Sequence, residues 1–185
     1  VANGPSDGSM LLFGSIGPLS IAPHFMKVGY DPLKSFAPIT MGVTFPTVLV
    51  TPASTGIKTL ADYVAKAKRE PGKLDFASTG PGSASHLAGE LLNDVARIDT
   101  VHVPYKGGAP ALQDVLGGRV ASFYAAPPTA LTHIESGKLI PLATTGLTRP
   151  AYLPNVPTVA ETYPGFNATN WYAFVASSKT PKPLL

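Results

Sequence analysis

The sequence predicts an α/β protein in two lobes, and three observations carry that prediction. Between Leu74 and Thr144, short strand-like runs alternate with stretches of helical period joined by short connections, the pattern of a parallel sheet with crossover helices. Each strand-to-helix connection is made of small residues or proline: Ser78 to Ser83, Pro104 to Pro110, and Ala125 to Thr129. Two further β-rich runs, Ile39–Thr51 and Asn170–Ala176, flank this block. They suit strands by which the chain enters and leaves the α/β lobe side by side, which is a hinge architecture.

In chain order, Met10 to Ser15 is a continuous apolar run bounded by turn residues and reads as a buried strand ending at Ser15. Ile16 to Ser20 repeats the theme of a strand followed by small residues. Ile39–Thr51, interrupted by Gly42 and Pro46, is either one long bent strand or two short ones. Thr59-Leu-Ala-Asp62 resembles a capping box, and the helix it opens has Leu60, Tyr63, Val64 and Ala67 inward and ends at Pro71-Gly72. The alternation follows: strand 74–78, helix 84–96, strand 100–103, helix 109–117, strand 119–124, helix 128–136, strand 138–144. In helix 84–96, Leu87, Leu91, Leu92 and Val95 fall on one stripe. After Thr144 four prolines surround a short helix-like segment, Thr158 to Tyr163.

Composition removes several classes of function. With 44% hydrophobic and 14% charged residues over 185 positions, the chain is globular in composition. The net charge of +3 comes from basic residues scattered singly, apart from Lys66-Ala-Lys68-Arg69 on a helix face. That run reads as a solvated face, so no nucleic-acid partner is expected. Without cysteine there is no disulfide, thiolate zinc site or cysteine nucleophile. No apolar run reaches the roughly eighteen residues of a membrane span, and Val1 is not followed by the n- and h-regions of a signal peptide. The chain opens in mid-stream and stops at Pro181-Lys-Pro-Leu-Leu185, and reads as a piece of a longer protein.

The connection after strand 74–78 looks like an anion site. Gly80-Pro81-Gly82 ends the strand, and Ser83 or Ser85 is available to cap the helix that follows. A helix start carries unpaired N–H groups and a partial positive charge, and small residues in front of it let a carboxylate or phosphate approach. An ordinary strand-to-helix turn would look the same locally. The dinucleotide fingerprint fits poorly, since the third glycine is missing and Asp99 precedes strand 100–103 instead of ending it. An α/β hydrolase or nucleotide-dependent enzyme is the rival reading. Gly14-Ser15-Ile16-Gly17 does not complete Gly-x-Ser-x-Gly, and no Walker pattern occurs.

Four segments together carry a family resemblance: Phe76-Ala-Ser-Thr-Gly-Pro-Gly-Ser-Ala-Ser-His-Leu-Ala-Gly-Glu-Leu-Leu92, the run Val101 to Gly118 with its Val-Pro-Tyr-Lys-Gly, His133 to Leu139, and Leu153-Pro-Asn-Val-Pro-Thr-Val-Ala-Glu161. They closely resemble the extracytoplasmic solute receptors of tripartite tricarboxylate transporters, the Bug-type receptors. The resemblance implies a two-lobed periplasmic-binding-protein (type II-like) architecture. The second α/β lobe, 46–167, would be complete, and the first, 1–45 with 168–185, partial. It implies an extracytoplasmic, periplasmic receptor that closes on a small carboxylate and delivers it to a membrane permease. No cofactor, metal or catalytic residue is implied. Judged by the family's length, roughly the first 50 to 60 residues and a similar C-terminal stretch are absent. With them goes the first-lobe loop that shares the ligand carboxylate, so this chain is expected to bind more weakly than a complete receptor and to self-associate through exposed first-lobe surface.

The candidate ligand-binding residues follow from both lines. Ser78 and Thr79 offer hydroxyls and backbone N–H groups, and Ser83 stands at the helix start. Gly80 and Gly82 permit the backbone geometry. His86, one turn into the helix, either faces the cleft or caps against the strand. Tyr105 and Lys106 end the second strand, Lys106 as a possible neutralising charge. Ser15 ends the first-lobe strand. Many relatives carry an acidic residue or Asn near Ser122–Pro128. Here Ala125 and Ala126 stand there, so Ala126 is kept as a candidate without a side-chain contact. His24, His102 and His133 have no ligand spacing for a metal and read as structural, and Trp171 reads as core.

Overall fold

The structure is a computed structural model that describes all residues Val1–Leu185. The chain divides into two units, Phe45–Thr169 and Val1–Thr44 with Asn170–Leu185.

The larger unit holds a five-stranded sheet. Its elements are β3 (Val48–Pro52), α1 (Leu60–Arg69), β4 (Asp75–Ser78), α2 (Ala84–Ala96), β5 (Val101–Pro104), α3 (Gly108–Leu116), β6 (Phe123–Ala125), α4 (Pro127–Glu135) and β7 (Leu139–Thr144). The smaller unit supplies β1 (Leu12–Ser15), β2 (Phe36–Pro46) and β8 (Thr169–Ser177), and the strands β2 and β8 carry the chain from one unit to the other.

The sheet order is β5-β4-β6-β3-β7. β4 runs parallel to β5 and β6, but β3 is antiparallel to both its neighbours, β6 and β7. The parallel sheet expected from the alternation is therefore mixed. Val48, Leu49 and Val50 are fully buried, as the continuous apolar run of a central strand should be. The Ile39–Thr51 run resolves into two strands, broken at Thr47 just after Pro46. The expected strand 119–124 shrinks to Phe123–Ala125. The Asp75 carboxylate accepts the Ala121 N–H at 2.6 Å, and the Ser122 hydroxyl donates to the Asp75 carbonyl at 2.8 Å, so the approach to the strand bends.

Both faces of the sheet are covered, which alternation along the strands makes possible. Leu49, Phe76, Tyr124 and Leu142 belong to the core shared with Tyr63 of α1 and Leu92 of α2. Val48, Val50, Ala77 and Phe123 belong to the core shared with Ala111 and Val115 of α3 and Ala130 of α4. The Thr59 capping box forms as its residue types dictate: the Asp62 N–H donates to Thr59 Oγ1 at 3.0 Å, and the Thr59 N–H to Asp62 Oδ2 at 3.0 Å. The inward stripe of α1 is Leu60, Tyr63, Val64 and Ala67.

In α2 the expected stripe holds only in part, at Leu92 and at Leu91, which packs against the core. Its buried residues are Ser85, Ala88, Gly89, Leu92 and Ala96, while Leu87 and Val95 are exposed. The reason is steric. A Cβ on Gly89 would lie 2.2 Å from the Phe76 ring, so the helix rests on β4 through its smallest residues and turns its longer ones aside.

Entry to and exit from this unit are tied together at one residue. Thr145 Oγ1 accepts from the Thr47 N–H at 2.9 Å and lies 3.1 Å from the Ala168 carbonyl. The Thr145 N–H donates to the Thr47 carbonyl, and the Ala168 N–H to the Thr145 carbonyl.

The smaller unit has a three-stranded sheet in the order β1-β8-β2, with β1 antiparallel to β8 and Phe13 opposite Phe174. Met10 to Ser15 is not the buried strand it resembles: Met10, Leu11 and Phe13 are exposed and only Gly14 is buried, and the opposing Phe174 on β8 is exposed as well. Phe13 instead stacks on Tyr172, with centroids 5.1 Å apart, and lies 4.6 Å from Phe174, over a Gly42 that leaves room for the ring. Gly17–Ile21, within the stretch that repeats the theme of a strand followed by small residues, forms a π-helical turn with Pro18 near its start. Trp171 is half-buried on β8.

Gly89→Ala is expected to destabilise the protein by about 2–3 kcal/mol, since the Phe76 ring it meets is fully buried and cannot swing away. Denaturant unfolding would measure this, and a loss below about 0.5 kcal/mol would mean that α2 can lift from β4 at little cost.

Candidate functional site

The carboxyl ends of β4, β5, β6 and β7 lie at one edge of the sheet, because Ser78 pairs with Pro104, while Ala125 and Thr144 both pair with Val48. The sequence candidates of this unit therefore share an edge: Ser78 to Ser83 after β4, Tyr105 and Lys106 after β5, and Ala126 after β6. Ser15 closes β1 in the other unit, opposite Tyr172.

The loop after β4 is held by its own side chains. Ser78 is fully buried; its Oγ accepts the Gly80 N–H at 3.1 Å and lies 2.6 Å from His102 Nε2. The Thr79 N–H donates to Ser85 Oγ at 2.9 Å, and the two hydroxyls are 3.2 Å apart. The Gly82 N–H donates to His86 Nδ1 at 3.1 Å, and the Ser83 N–H to the Gly80 carbonyl. Gly80 and Gly82 have φ of +126° and +71°, conformations that side chains resist.

Ser83 is the N-cap of α2: its Oγ accepts the His86 N–H, and its carbonyl the Leu87 N–H. The amides of Ala84 and Ser85, in the first turn, have no acceptor in the chain. Open donors thus sit one step further along than the sequence places them, at Ala84 and Ser85, with the Thr79 N–H already engaged.

The other candidates are less involved. Tyr105 donates its hydroxyl to Asp114 Oδ2 at 2.7 Å, and partial burial with that carboxylate pushes its pKa up to about 12. Asp114 also takes Arg119, with Nε at 2.9 Å, and this hydrogen bond holds its carboxyl below the usual range. Lys106 is exposed and enters no ion pair. Ala126 is the N-cap of α4, whose first two positions are Pro127 and Pro128 and carry no N–H.

Two residues have contacts that the sequence does not specify. Ser85, buried in the first turn of α2, latches Thr79. His102 stacks on Phe76, with centroids 5.2 Å apart, and on His86, at 3.9 Å. Burial, and then the neighbouring His86 ring, push its pKa down to about 4. The signal was present in Val101-His102-Val103: alternation puts His102, opposite Phe76, on the sheet face that α2 covers. His86 caps the Gly82 amide and faces His102.

No group of His, Cys, Asp and Glu is placed to hold a metal ion. A cavity of about 310 Å³ lies elsewhere in this unit, lined by Thr55, Ile57, Asp62, Lys66 and Arg69. It follows the carboxyl end of β3, at the opposite edge of the sheet, and contains none of the candidates.

All 185 residues match the family described as the tripartite tricarboxylate transporter family receptor. The chain belongs to that family. BugT of Bordetella pertussis is 36% identical over the whole chain, which covers 57% of BugT. A protein of R. palustris solved with adipate superposes with a TM-score of 0.93 at 31% identity, over all of this chain and 62% of that one. MatC from Rhodopseudomonas palustris, solved with bound malate, gives 0.90 at 30%, again over all of this chain and 63% of that one. The chain thus spans little more than half the length of such relatives. The family is one of receptors and not of enzymes, which removes the hydrolase and nucleotide-dependent readings.

Ser85→Ala is expected to cost about 1–3 kcal/mol, because it strips the Thr79 amide of its acceptor within a partly buried loop. The Thr79 amide should exchange with solvent faster than those of the core strands. Unaltered exchange at Thr79 would show that another group holds this end of the loop.

Proposed function

We propose that the protein is the ligand-binding part of an extracytoplasmic, periplasmic receptor that captures a small dicarboxylate and presents it to the permease of a tripartite transporter. The observation that carries this reading is the pair of unengaged amides, Ala84 and Ser85, at the start of α2. They lie on the sheet edge where open α/β folds bind ligands, beside the hydroxyls of Ser83 and Thr79. Two amides and a helix start favour a carboxylate, and the two R. palustris relatives were solved with adipate and malate. Closure by a hinge is part of the proposal. Its support is the Thr145 junction, which ties the strand entering the larger unit to the strand leaving it.

Adipate and malate are the first ligands to try, by thermal shift, and saturation at a hundred times Kd corresponds to about 2.7 kcal/mol of stabilisation. The sharper test is Ala84→Pro. Proline is well tolerated at the first helical position, and Ser83 before it is already extended, at φ −74° and ψ 162°. The fold should therefore keep its stability while one open donor is lost. An affinity about tenfold or more weaker is expected, from the roughly 1.5–3 kcal/mol of a hydrogen bond to a charged group. Unchanged affinity by calorimetry would sink the role given to this helix start.

The self-association expected of this 185-residue chain also has a face to use. Its small sheet exposes Met41, Val43, Phe13 and Phe174, and β1, β2 and β8 carry no charged side chain. Light scattering should find dimers or larger species at micromolar concentration, reduced by Phe13→Glu, whereas a 19.2 kDa monomer throughout would refute this.

A further inference from the structure

We propose that His86 and His102 are positioning residues that pin the two ends of the Ser78–Ser83 loop as a stacked pair of neutral imidazoles, and that protonating the pair releases the loop. His102 Nε2 meets the Ser78 hydroxyl at the start of the loop, and the same hydroxyl accepts the Gly80 N–H. His86 Nδ1 accepts the Gly82 N–H at its end. The two rings lie 3.9 Å apart, tilted by 25°, and Phe76 continues the stack from the core. One pair of side chains thus joins both ends of the loop to the sheet.

Charge state follows from these bonds. Because Gly82 donates to Nδ1, a neutral His86 carries its proton on Nε2, which faces Glu90 Oε1 at 3.6 Å. A second proton on Nδ1 would point at the Gly82 N–H and break that bond. A proton added to His102 would place a cation against the other ring in a half-buried site. The groups facing the pair are Glu90 from α2 and, from β4, only Phe76 and the Ser78 hydroxyl. A single partly exposed carboxylate is the only counter-charge. The depressed pKa of His102, about 4, agrees with a ring held neutral in this stack. The folded state then binds fewer protons than the unfolded chain, so the stability linked to His102 is complete above about pH 6.5 and erodes as pH falls toward 4.

The consequence for binding rests on the carboxylate reading of this loop, and the experiment separates the two. Amide protection factors, corrected for intrinsic exchange, would be measured on the 185-residue chain at Gly80, Gly82 and the core residue Val50, at pH 7 and pH 4. His86→Phe keeps a stacking ring and removes the acceptor, and should lower Gly82 protection at least tenfold relative to Val50. His86→Asn, whose amide oxygen stands near the Nδ1 position, should restore it. His102→Phe should act in the same way on Gly80, with rescue by His102→Gln. In the native chain both glycines should lose protection at pH 4, and the His86→Asn/His102→Gln variant should lose far less. Loop protection that follows Val50 in every variant, or that does not change with pH, overturns the proposal even if a variant folds poorly, because the native chain alone supplies the pH arm. Adipate titration is read separately. If adipate fails to bind while the glycines behave as described, the carboxylate reading falls and the positioning role stands. If adipate binds while the glycines do not respond, the reverse holds.

Discussion

Phe76 is the side chain on which the rest of this unit depends. Its ring is fully buried, lies edge-on to Tyr124 at 5.7 Å, and fills the space that Gly89 leaves beneath α2. That contact sets how near the helix comes to β4, and so where its first turn stands relative to the end of the strand. The ring also stacks on His102, which reaches Ser78 and faces His86. Core packing and loop geometry are therefore one continuous contact. A change of volume at Phe76 or Gly89 would be felt at Ser78 and Gly82 without any residue of the loop being altered.

The sheet explains why the loops share an edge although the topology is mixed. β3 enters antiparallel between β6 and β7, so its first residue, Val48, lies beside Ala125 and Thr144, where the parallel strands end. The chain can then arrive at Thr47 and leave after Ala168 at the same place, with Thr145 bonded to both. A purely parallel sheet would have brought the chain in at the far edge, and entry and exit could not have been joined by one threonine.

Much of this was legible in the sequence. The Thr59 capping box, the inward face of α1, the alternation of strands and helices and the strand-loop-helix at Leu74–Leu92 follow from local residue types, and local physics decides them. The misreadings share a different cause. The α2 stripe expected from size holds at Leu91 and Leu92 but not at Leu87 and Val95, because the facing ring of Phe76 demands small residues at Ala88 and Gly89, a fact of the partner and not of the helix. An apolar run such as Met10–Ser15 is silent about whether the face of its sheet is covered, and here Phe13 on β1 and Phe174 on the central β8 are both exposed. The direction of β3 could not be read from its composition, since buried strands of either sense look alike. His102 is structural, as the lack of metal spacing implies, and its register opposite Phe76 is what says which contacts it makes.

At the candidate site the donors that a regular element holds in place are neutral. Arg119 is engaged by Asp114, α4 begins with two prolines, and Lys106 is exposed. On the proposed function, an incoming carboxylate meets a pair of amides from α2 with hydroxyls around them. Such groups attract an anion only when they are aimed correctly, because their field falls away faster with distance and angle than that of a full charge. On the proposed function this suits a receptor, which must release its cargo as well as hold it: a small movement of the loop reduces the attraction, whereas a buried lysine or arginine would retain the anion through the same movement. The precision with which Ser85, His86 and His102 hold the loop is then what gives neutral donors their affinity.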